Sequence, residues 1–203
     1  QSQAAFAGIM FYNSNVVISQ SKFSDNRGFF GGAITGLLSN VEIYDSSFSD
    51  HNTYVGGGIL SIGSDWIIAR STFSDNYASA HATGETNCDD GIDNDSDGTT
   101  DMFDDDCTIG NGGAIAEMSY LSTYFGPSSY QIVNSTFSGN TAERWGGAIS
   151  VDGGSDLSLS SVTITDNRAN LKGGGIYAAS TANVELSNTL LAENMADDEG
   201  DDC

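Results

Sequence analysis

The chain has almost no proline and very few basic residues. One proline occurs in 203 residues, and six Lys and Arg stand against 28 Asp and Glu, which leaves a formal charge of −22 at pH 7. A surface this anionic argues against nucleic acid or an anionic membrane as a partner and favours cations. No apolar stretch approaches the roughly 20 residues that span a bilayer, so we predict no membrane insertion in this segment.

Helical periodicity is also missing, and no signal peptide opens the chain. We therefore expect a mature or excised segment. At 203 residues it fits a single domain, residues 1–203. Neither end has the polar sequence of a solenoid cap, so we expect the coils near Ile9 and Asn194 to be covered by further coils of the same protein or by neighbouring copies.

What the chain has instead is a repeat. An apolar alternating run is followed by Ser-x-Phe-Ser-Asp-Asn and then by Gly-Gly-Ala-Ile, with variations. The last residue of the Asp-Asn pair serves as the anchor of each copy, and His51 takes the place of Asn in the second. The six anchors are Asn26, His51, Asn76, Asn140, Asn167 and Asn194. They lie 25, 25, 64, 27 and 27 residues apart, so one step is anomalous.

Apolar residues keep fixed distances from each anchor. The residues eight positions before the anchors are Ile18, Ile43, Ile68, Ile132, Leu159 and Leu186. Those three positions before are Phe23, Phe48, Phe73, Phe137, Ile164 and Leu191. Alternation with period two predicts strands, and the Gly-Gly-Ala-Ile segment supplies a third strand after a tight turn. Each repeat is thus predicted to be a three-sided coil, and the anchors to form a structural ladder of stacked side chains.

Coils of this length, rich in Gly and Asn, resemble the right-handed parallel β-helix of pectate-lyase-like proteins. The expected fold is all-β, a solenoid of about six coils of 25–27 residues whose equivalent residues stack about 4.8 Å apart. One long acidic loop insertion, at about 80–110, interrupts it. A smaller loop, at about 119–129, is aromatic and holds the only proline; we expect it to pack against its own solenoid.

The FxxN and GGA[I/L/V] tetrapeptides resemble the repeats of chlamydial polymorphic outer membrane proteins. This resemblance implies an extracellular or cell-surface protein with a structural or adhesive role, either an adhesin segment or a filament subunit. Cell-surface glycans are then a further candidate partner. The alternative is a carbohydrate-binding or polysaccharide-degrading enzyme of the lyase type, which would need a groove of aromatics beside an Arg or Lys.

The basic residues give little support to catalysis. Arg27 and Arg168 each follow an anchor directly, but at opposite ends of the stack, and Lys22, Arg70, Arg144 and Lys172 are equally dispersed. Neither His51 nor His81 has an evident nucleophile or metal partner. We therefore predict no catalytic residues and no enzyme activity.

The acidic insertion has ordered spacing. Between Cys88 and Cys107, nine of the 18 residues are Asp. Carboxylates at alternate positions followed by a Gly match the spacing of a calcium loop, with the Thr carbonyl at position 7. The predicted Ca²⁺ ligands are Asp93, Asp95, Asp97, Thr99, Asp101 and Asp104. The remaining Asp89, Asp90, Asp105 and Asp106 are enough for a second ion.

This loop resembles thrombospondin type 3 repeats, which bind calcium without flanking helices. A disulfide between Cys88 and Cys107 would close about 20 residues and stabilise the fold by roughly 3 kcal/mol in the chain-entropy model. Such a bridge agrees with an extracellular location. The third cysteine, Cys203, is expected to pair outside this segment.

A row of acidic residues precedes the anchors. Asp25, Asp50, Asp75, Asp166 and Glu193 should stack on the outside of the coils, about 4.8 Å apart. Like charges at that spacing repel one another, so we expect either salt screening or a shared cation.

Overall fold

A computed structural model describes residues 8–79, 110–118, 124–198 and 200–202. These residues form six stacked coils, numbered here one to six by their anchors, and each coil gives one strand to each of four six-stranded sheets. All strand pairs are parallel and join neighbouring coils. The predicted all-β parallel solenoid of about six coils is confirmed.

Two of the sheets flank the turn that leads into the long apolar strands. The first, called the glycine sheet because it follows the Gly-Gly turns, contains β1 (Ile9–Tyr12), β5 (Ile34–Leu37), β9 (Ile59–Ile62), β13 (Ile115–Glu117), β17 (Ile149–Val151) and β21 (Ile176–Ala178). The second, the long sheet, contains β2 (Asn15–Ser19), β6 (Asn40–Tyr44), β10 (Asp65–Ala69), β14 (Ser129–Val133), β18 (Asp156–Ser160) and β22 (Asn183–Ser187).

The other two sheets lie on either side of the anchors. The phenylalanine sheet contains β3 (Lys22–Ser24), β7 (Ser47–Ser49), β11 (Thr72–Ser74), β15 (Thr136–Ser138), β19 (Thr163–Thr165) and β23 (Leu190–Ala192). The post-anchor sheet contains β4 (Arg27–Phe30), β8 (Asn52–Val55), β12 (Tyr77–Ala78), β16 (Thr141–Ala142), β20 (Arg168–Ala169) and β24 (Met195–Ala196).

The post-anchor sheet corrects the prediction of three strands per coil. Its strands are short, and their inward positions carry small residues: Gly28, Thr53, Ala78, Ala142, Ala169 and Ala196. Small side chains leave no apolar alternation to detect, so the strand signal is weak in the sequence. Each coil therefore has four strands.

The long sheet holds the predicted aliphatic ladder in register. Each of the six residues pairs with its equivalent in the next coil, from Ile18 to Leu186. The four members in the middle coils are at most 1% exposed, whereas Ile18 is half-buried and Leu186 is 47% exposed. The ladder is thus confirmed, with its buried part in coils two to five.

Four aromatic rings stack in the phenylalanine sheet. Neighbouring rings of Phe23, Phe48, Phe73 and Phe137 lie 4.6–5.0 Å apart and are parallel within 5°. Ile164 and Leu191 continue this column in coils five and six. Because the column contacts the aliphatic ladder, both belong to one apolar core that runs along the solenoid axis.

The two glycines of each Gly-Gly turn have different roles. The first adopts a left-handed backbone, as at Gly56 (φ 61°) and Gly146 (φ 67°), a conformation that glycine accepts without steric cost. At the second the neighbouring coil is too close for a side chain: a Cβ on Gly147 would lie 2.0 Å from the carbonyl oxygen of Gly174. The turn therefore requires glycine twice, for separate reasons.

The acidic row before the anchors has a backbone role. All five of its members adopt a left-handed conformation, with φ between 55° and 60°. Asp tolerates this region better than most residues, and Gly139 takes the same position in coil four with φ 66°. From the sequence we expected only a stack of charges here. The left-handed bend explains why an acidic residue recurs at this position.

Candidate functional site

The long insertion leaves and re-enters the solenoid at one point. Ser79, the last residue described before it, donates from its backbone N–H to the carbonyl of Thr53 at 2.8 Å. Gly110, the first residue described after it, donates in the same way to the carbonyl of Tyr54 at 2.5 Å. Since these carbonyls belong to consecutive residues of β8, both ends of the insertion are fixed side by side.

The predicted calcium ligands and cysteines lie outside the described residues. This holds for the ligand positions from Asp89 to Asp106, for Cys88 and Cys107, and for Cys203. Calcium binding and the disulfide remain predictions. Within the ranges that are described, no three His, Cys, Asp or Glu side chains gather into a group that could hold a metal ion.

The anchors form a continuous hydrogen-bonded ladder along the solenoid. In coils three to six the Asn side chain accepts from the backbone N–H of the preceding anchor, as from Asn140 to Asn167 Oδ1 at 3.0 Å. The amide Nδ2 donates to the carbonyl oxygen of a core residue in the preceding coil, as from Asn140 to Phe73 at 3.0 Å. In coils three to five it also donates to the next anchor's Oδ1, and in coil six Asn194 donates to Asp202 Oδ1 instead. These side chains are buried, so they satisfy backbone groups that water does not reach.

His51 occupies the same ladder with fewer bonds. Its Nδ1 accepts from the Asn26 backbone N–H at 3.2 Å, so this nitrogen carries no proton. Its Nε2 is buried and has no hydrogen-bond partner among the described residues. Burial lowers the pKa of His51 to about 4, although Asp25 and Asp50 favour the charged form. The residue is therefore a neutral structural histidine near pH 7.

Two serine ladders also tie the coils together, and the sequence analysis missed them. One runs along the entry to the long sheet, where Ser39 N–H donates to Ser64 Oγ at 3.0 Å and Ser64 N–H donates to Ser128 Oγ at 3.2 Å. The other precedes the phenylalanine sheet, as from Ser46 to Ser71 at 3.2 Å. Serine stands one residue before the long-sheet strand in the first five coils and two residues before the stacked Phe in the first four, and this spacing is the signal that could have revealed the ladders.

Two of the basic side chains are held in ion pairs. Arg70 makes a bidentate contact with Asp45, at 2.7 and 2.8 Å, and lies over the ring of Tyr44. Arg168 donates from the single nitrogen Nη2 to both carboxylate oxygens of Asp197, at 2.6 and 2.7 Å. Arg27 and Arg168 share the post-anchor sheet but lie in coils one and five. Among the described residues, Arg70 and Arg168 thus lie in different coils, and each contacts the carboxylate of one Asp.

The aromatic residues in and directly after the smaller loop have different surroundings. Tyr130 is buried at the start of β14, whereas Tyr124 is 81% exposed. Phe125 lies with its backbone against Gly63, where a Cβ would be 2.6 Å from the Phe125 carbonyl oxygen. The described part of this loop therefore packs against the solenoid at one point and leaves Tyr124 in solvent.

A buried carboxylate lies where sequence reasoning gave no hint of one. Glu117 ends β13 and is 3% exposed. Its Oε1 accepts from the Ser128 N–H at 2.9 Å and its Oε2 from the Asp152 N–H at 3.2 Å. Alignment of the repeats on Gly-Gly-Ala-Ile would have placed Glu117 in an inward column with Gly36, Ser61, Val151 and Ala178, and that column is the signal that identifies it.

Two segments of the chain match the Chlamydia polymorphic membrane protein repeat: residues 134–152 and 161–179. No curated protein and no solved structure matches the chain.

The two matches have the same position in the fold. Each begins at the bend after a long-sheet strand and runs through the phenylalanine sheet, the anchor and the Gly-Gly turn into the glycine sheet. They include the anchors Asn140 and Asn167. The family repeat thus corresponds to the part of a coil that contains the Asn ladder. Among the described residues, no helix is long and apolar enough to cross a bilayer.

Proposed function

We propose that the chain is an extracellular or cell-surface solenoid, stabilised by calcium, with a structural or adhesive role and no catalytic function. The matches to a membrane protein repeat support the surface location. The arginine ion pairs support a non-catalytic role, since the two guanidinium groups are already occupied by Asp45 and Asp197.

The observation that carries the calcium proposal is the closed base of the acidic insertion. With both ends bonded to neighbouring carbonyls of β8, the closure of the loop costs less entropy when a metal ion binds. Hard carboxylate oxygens at alternate positions suit Ca²⁺. A disulfide between Cys88 and Cys107 would add a second closure further along the same loop.

Calorimetric titration of Ca²⁺ into the oxidised, chelator-stripped protein tests this proposal. We expect a saturable site whose affinity falls about tenfold or more when Asp95 and Asp97 are both replaced by Asn, since two charged ligands are lost. The matched control replaces Asp65 and Asp156, two exposed acids of the long sheet, with Asn. A titration in which both double variants bind like the unmodified protein would refute the loop site.

The partners we propose are further coils of the same protein or neighbouring copies, with cell-surface glycans as a second class of ligand. An adhesin extends the solenoid within one chain, whereas a filament extends it with identical chains joined head to tail. Surface labelling of the full gene product, combined with electron microscopy of the purified protein, separates these two arrangements. Failure to find the gene product outside the cell would contradict the proposed location.

A further inference from the structure

The interior of coil four contains a buried carboxyl group, that of Glu117. Glu117 is the register partner of Ser61 in the glycine sheet. Both of its oxygens accept backbone N–H bonds, from Ser128 and Asp152. In protein interiors, buried carboxylates are usually paired with a charged group or coordinate a metal ion.

A second carboxylate lies beside it in the next coil. Asp152 is 9% exposed, and its Oδ2 has no hydrogen-bond partner among the described residues. The pKa of Asp152 is raised well above its ordinary value, first by burial and then by the charge of Glu117. Burial and the neighbouring Glu117 thus both oppose a negative charge on Asp152, and a bound cation would offset both effects.

A buried phenol faces the same two groups. Trp66 and Tyr130 are register partners in the long sheet, and each is 1% exposed. In coil three, Trp66 Nε1 donates to Ser61 Oγ at 2.8 Å. One coil further, the matching pair is Tyr130 and Glu117, yet Tyr130 Oη has no hydrogen bond within the described part of the chain.

The neighbouring hydroxyl groups are already engaged. Ser61 Oγ and Ser128 Oγ lie 2.9 Å apart, and Ser128 Oγ also accepts from the Ser64 N–H at 3.2 Å. Both serines lie beside the phenol without satisfying it. Glu117 and Asp152 act on the phenol as well, since burial and then these charges raise the pKa of Tyr130. The two carboxyl groups, the phenol and the two serines thus belong to one buried polar cluster.

We propose that Glu117, Asp152 and Tyr130 Oη bind a Ca²⁺ ion between coils four and five. Two carboxylates balance the charge of one divalent cation, and the ligands are all oxygen, which suits Ca²⁺ better than zinc or copper. Mg²⁺ fits less well because it keeps several waters in strict octahedral geometry.

The test uses the protein in which Asp95 and Asp97 are both replaced by Asn, so that the acidic insertion and this interior site are read separately. Ca²⁺ is titrated by calorimetry, and melting is followed with and without the ion. We expect one saturable Ca²⁺ site to remain in this variant. At 100 times Kd, Ca²⁺ should raise the melting temperature by about 5 to 10 °C.

Two variants identify the ligands. Tyr130→Phe removes only the phenolic oxygen and should weaken Ca²⁺ binding about fivefold, whereas Asp152→Asn should weaken it about 50-fold. The matched control is Asp156→Asn, which changes an exposed acid in the same coil and should leave affinity unchanged. Because Tyr130→Phe keeps the ring in the core, it remains informative even where Asp152→Asn fails to fold.

Two results would overturn the proposal. One is a protein with no Ca²⁺-dependent melting shift beyond that of the insertion. The other is binding that Tyr130→Phe and Asp152→Asn leave unchanged, since the ion would then lie elsewhere.

Discussion

The anchor ladder behaves differently at its second coil and at its last four. From coil three onward each Asn uses its oxygen as an acceptor and its amide as a double donor, so the backbone and side chains of successive coils are linked. At His51 only the acceptor contact to Asn26 is made, and the other ring nitrogen has no hydrogen-bond partner among the described residues. The imidazole fills the space of the amide without replacing its hydrogen bonds.

This difference shows what the ladder requires. An imidazole has one acceptor and one donor in fixed opposite directions, whereas an amide has an acceptor and two donors. The carbonyl of Phe48 receives a donor from Asn76 in coil three, and the equivalent Phe23 carbonyl receives none from His51. Histidine therefore fits the shape of the ladder site but does not make the donor contacts that Asn makes.

Breaking the ladder at its most connected point should have the largest effect. Asn140→Ala removes the acceptor of two Asn76 donors and the donors to Phe73 and Asn167. Since the polar groups left without a hydrogen-bond partner are buried, we expect a loss of about 4 kcal/mol in the free energy of unfolding, measured by urea denaturation. Asn183→Ala, at an exposed Asn of the long sheet, is the control and should change stability by at most about 0.5 kcal/mol. Equal effects of the two variants would contradict the role of the ladder.

Acidification should lower the stability of the folded chain through the protonation of His51. The pKa of His51 is about 4 in the folded chain and 6.5 in its ordinary state. Between these values the unfolded chain binds the proton and the folded chain does not, so stability is lost as pH falls from 6.5 toward 4. The loss due to this group at pH 4 is about 3 kcal/mol.

His51→Asn isolates that contribution, because many carboxylates titrate in the same range. Denaturation of both proteins at pH 7 and pH 4 should show the smaller loss in the variant, by about 3 kcal/mol. Parallel pH profiles for the two proteins would rule out a buried neutral histidine.

At pH 7 the same substitution tests the missing donor contacts directly, and we expect a smaller change in stability. An Asn at this position could donate to the Phe23 carbonyl and to Asn76 Oδ1, in the pattern of coils three to six. We expect His51→Asn to stabilise the protein by about 1 to 2 kcal/mol, reduced by any packing lost with the ring. A destabilised variant would mean that the ring's packing outweighs the two hydrogen bonds.

The sequence predicted the parts of the fold that large side chains determine. Alternating apolar residues and a constant distance to each anchor set the register from Ile18 to Leu186, because a slip of one residue would turn the ladder out of the core. The post-anchor sheet was not predicted, since its inward residues are as small as Gly28 and Ala78. The left-handed bend at Asp25 and its equivalents was also missed, because a recurrent acid suggests charge before backbone geometry.

The two candidate calcium sites also differ in whether the sequence alone reveals them. The acidic insertion is recognisable by composition and spacing, which require no tertiary information. The interior cluster consists of single residues from three separate segments, Glu117, Tyr130 and Asp152, and only the stacking of coils brings them together. An isolated Glu after Gly-Gly-Ala-Ile-Ala has no local feature that marks it as buried.

The closed base of the insertion has a practical meaning for protein engineering. Ser79 and Gly110 are each in register with Tyr54 of β8, one at either end of the insertion. Deletion of residues 80–110 would shorten the Asn76 to Ile115 step from 39 residues to eight, the step found in coils one and two. The junction is thus a natural grafting point, where a foreign peptide can be displayed or removed while the coil beneath keeps its path.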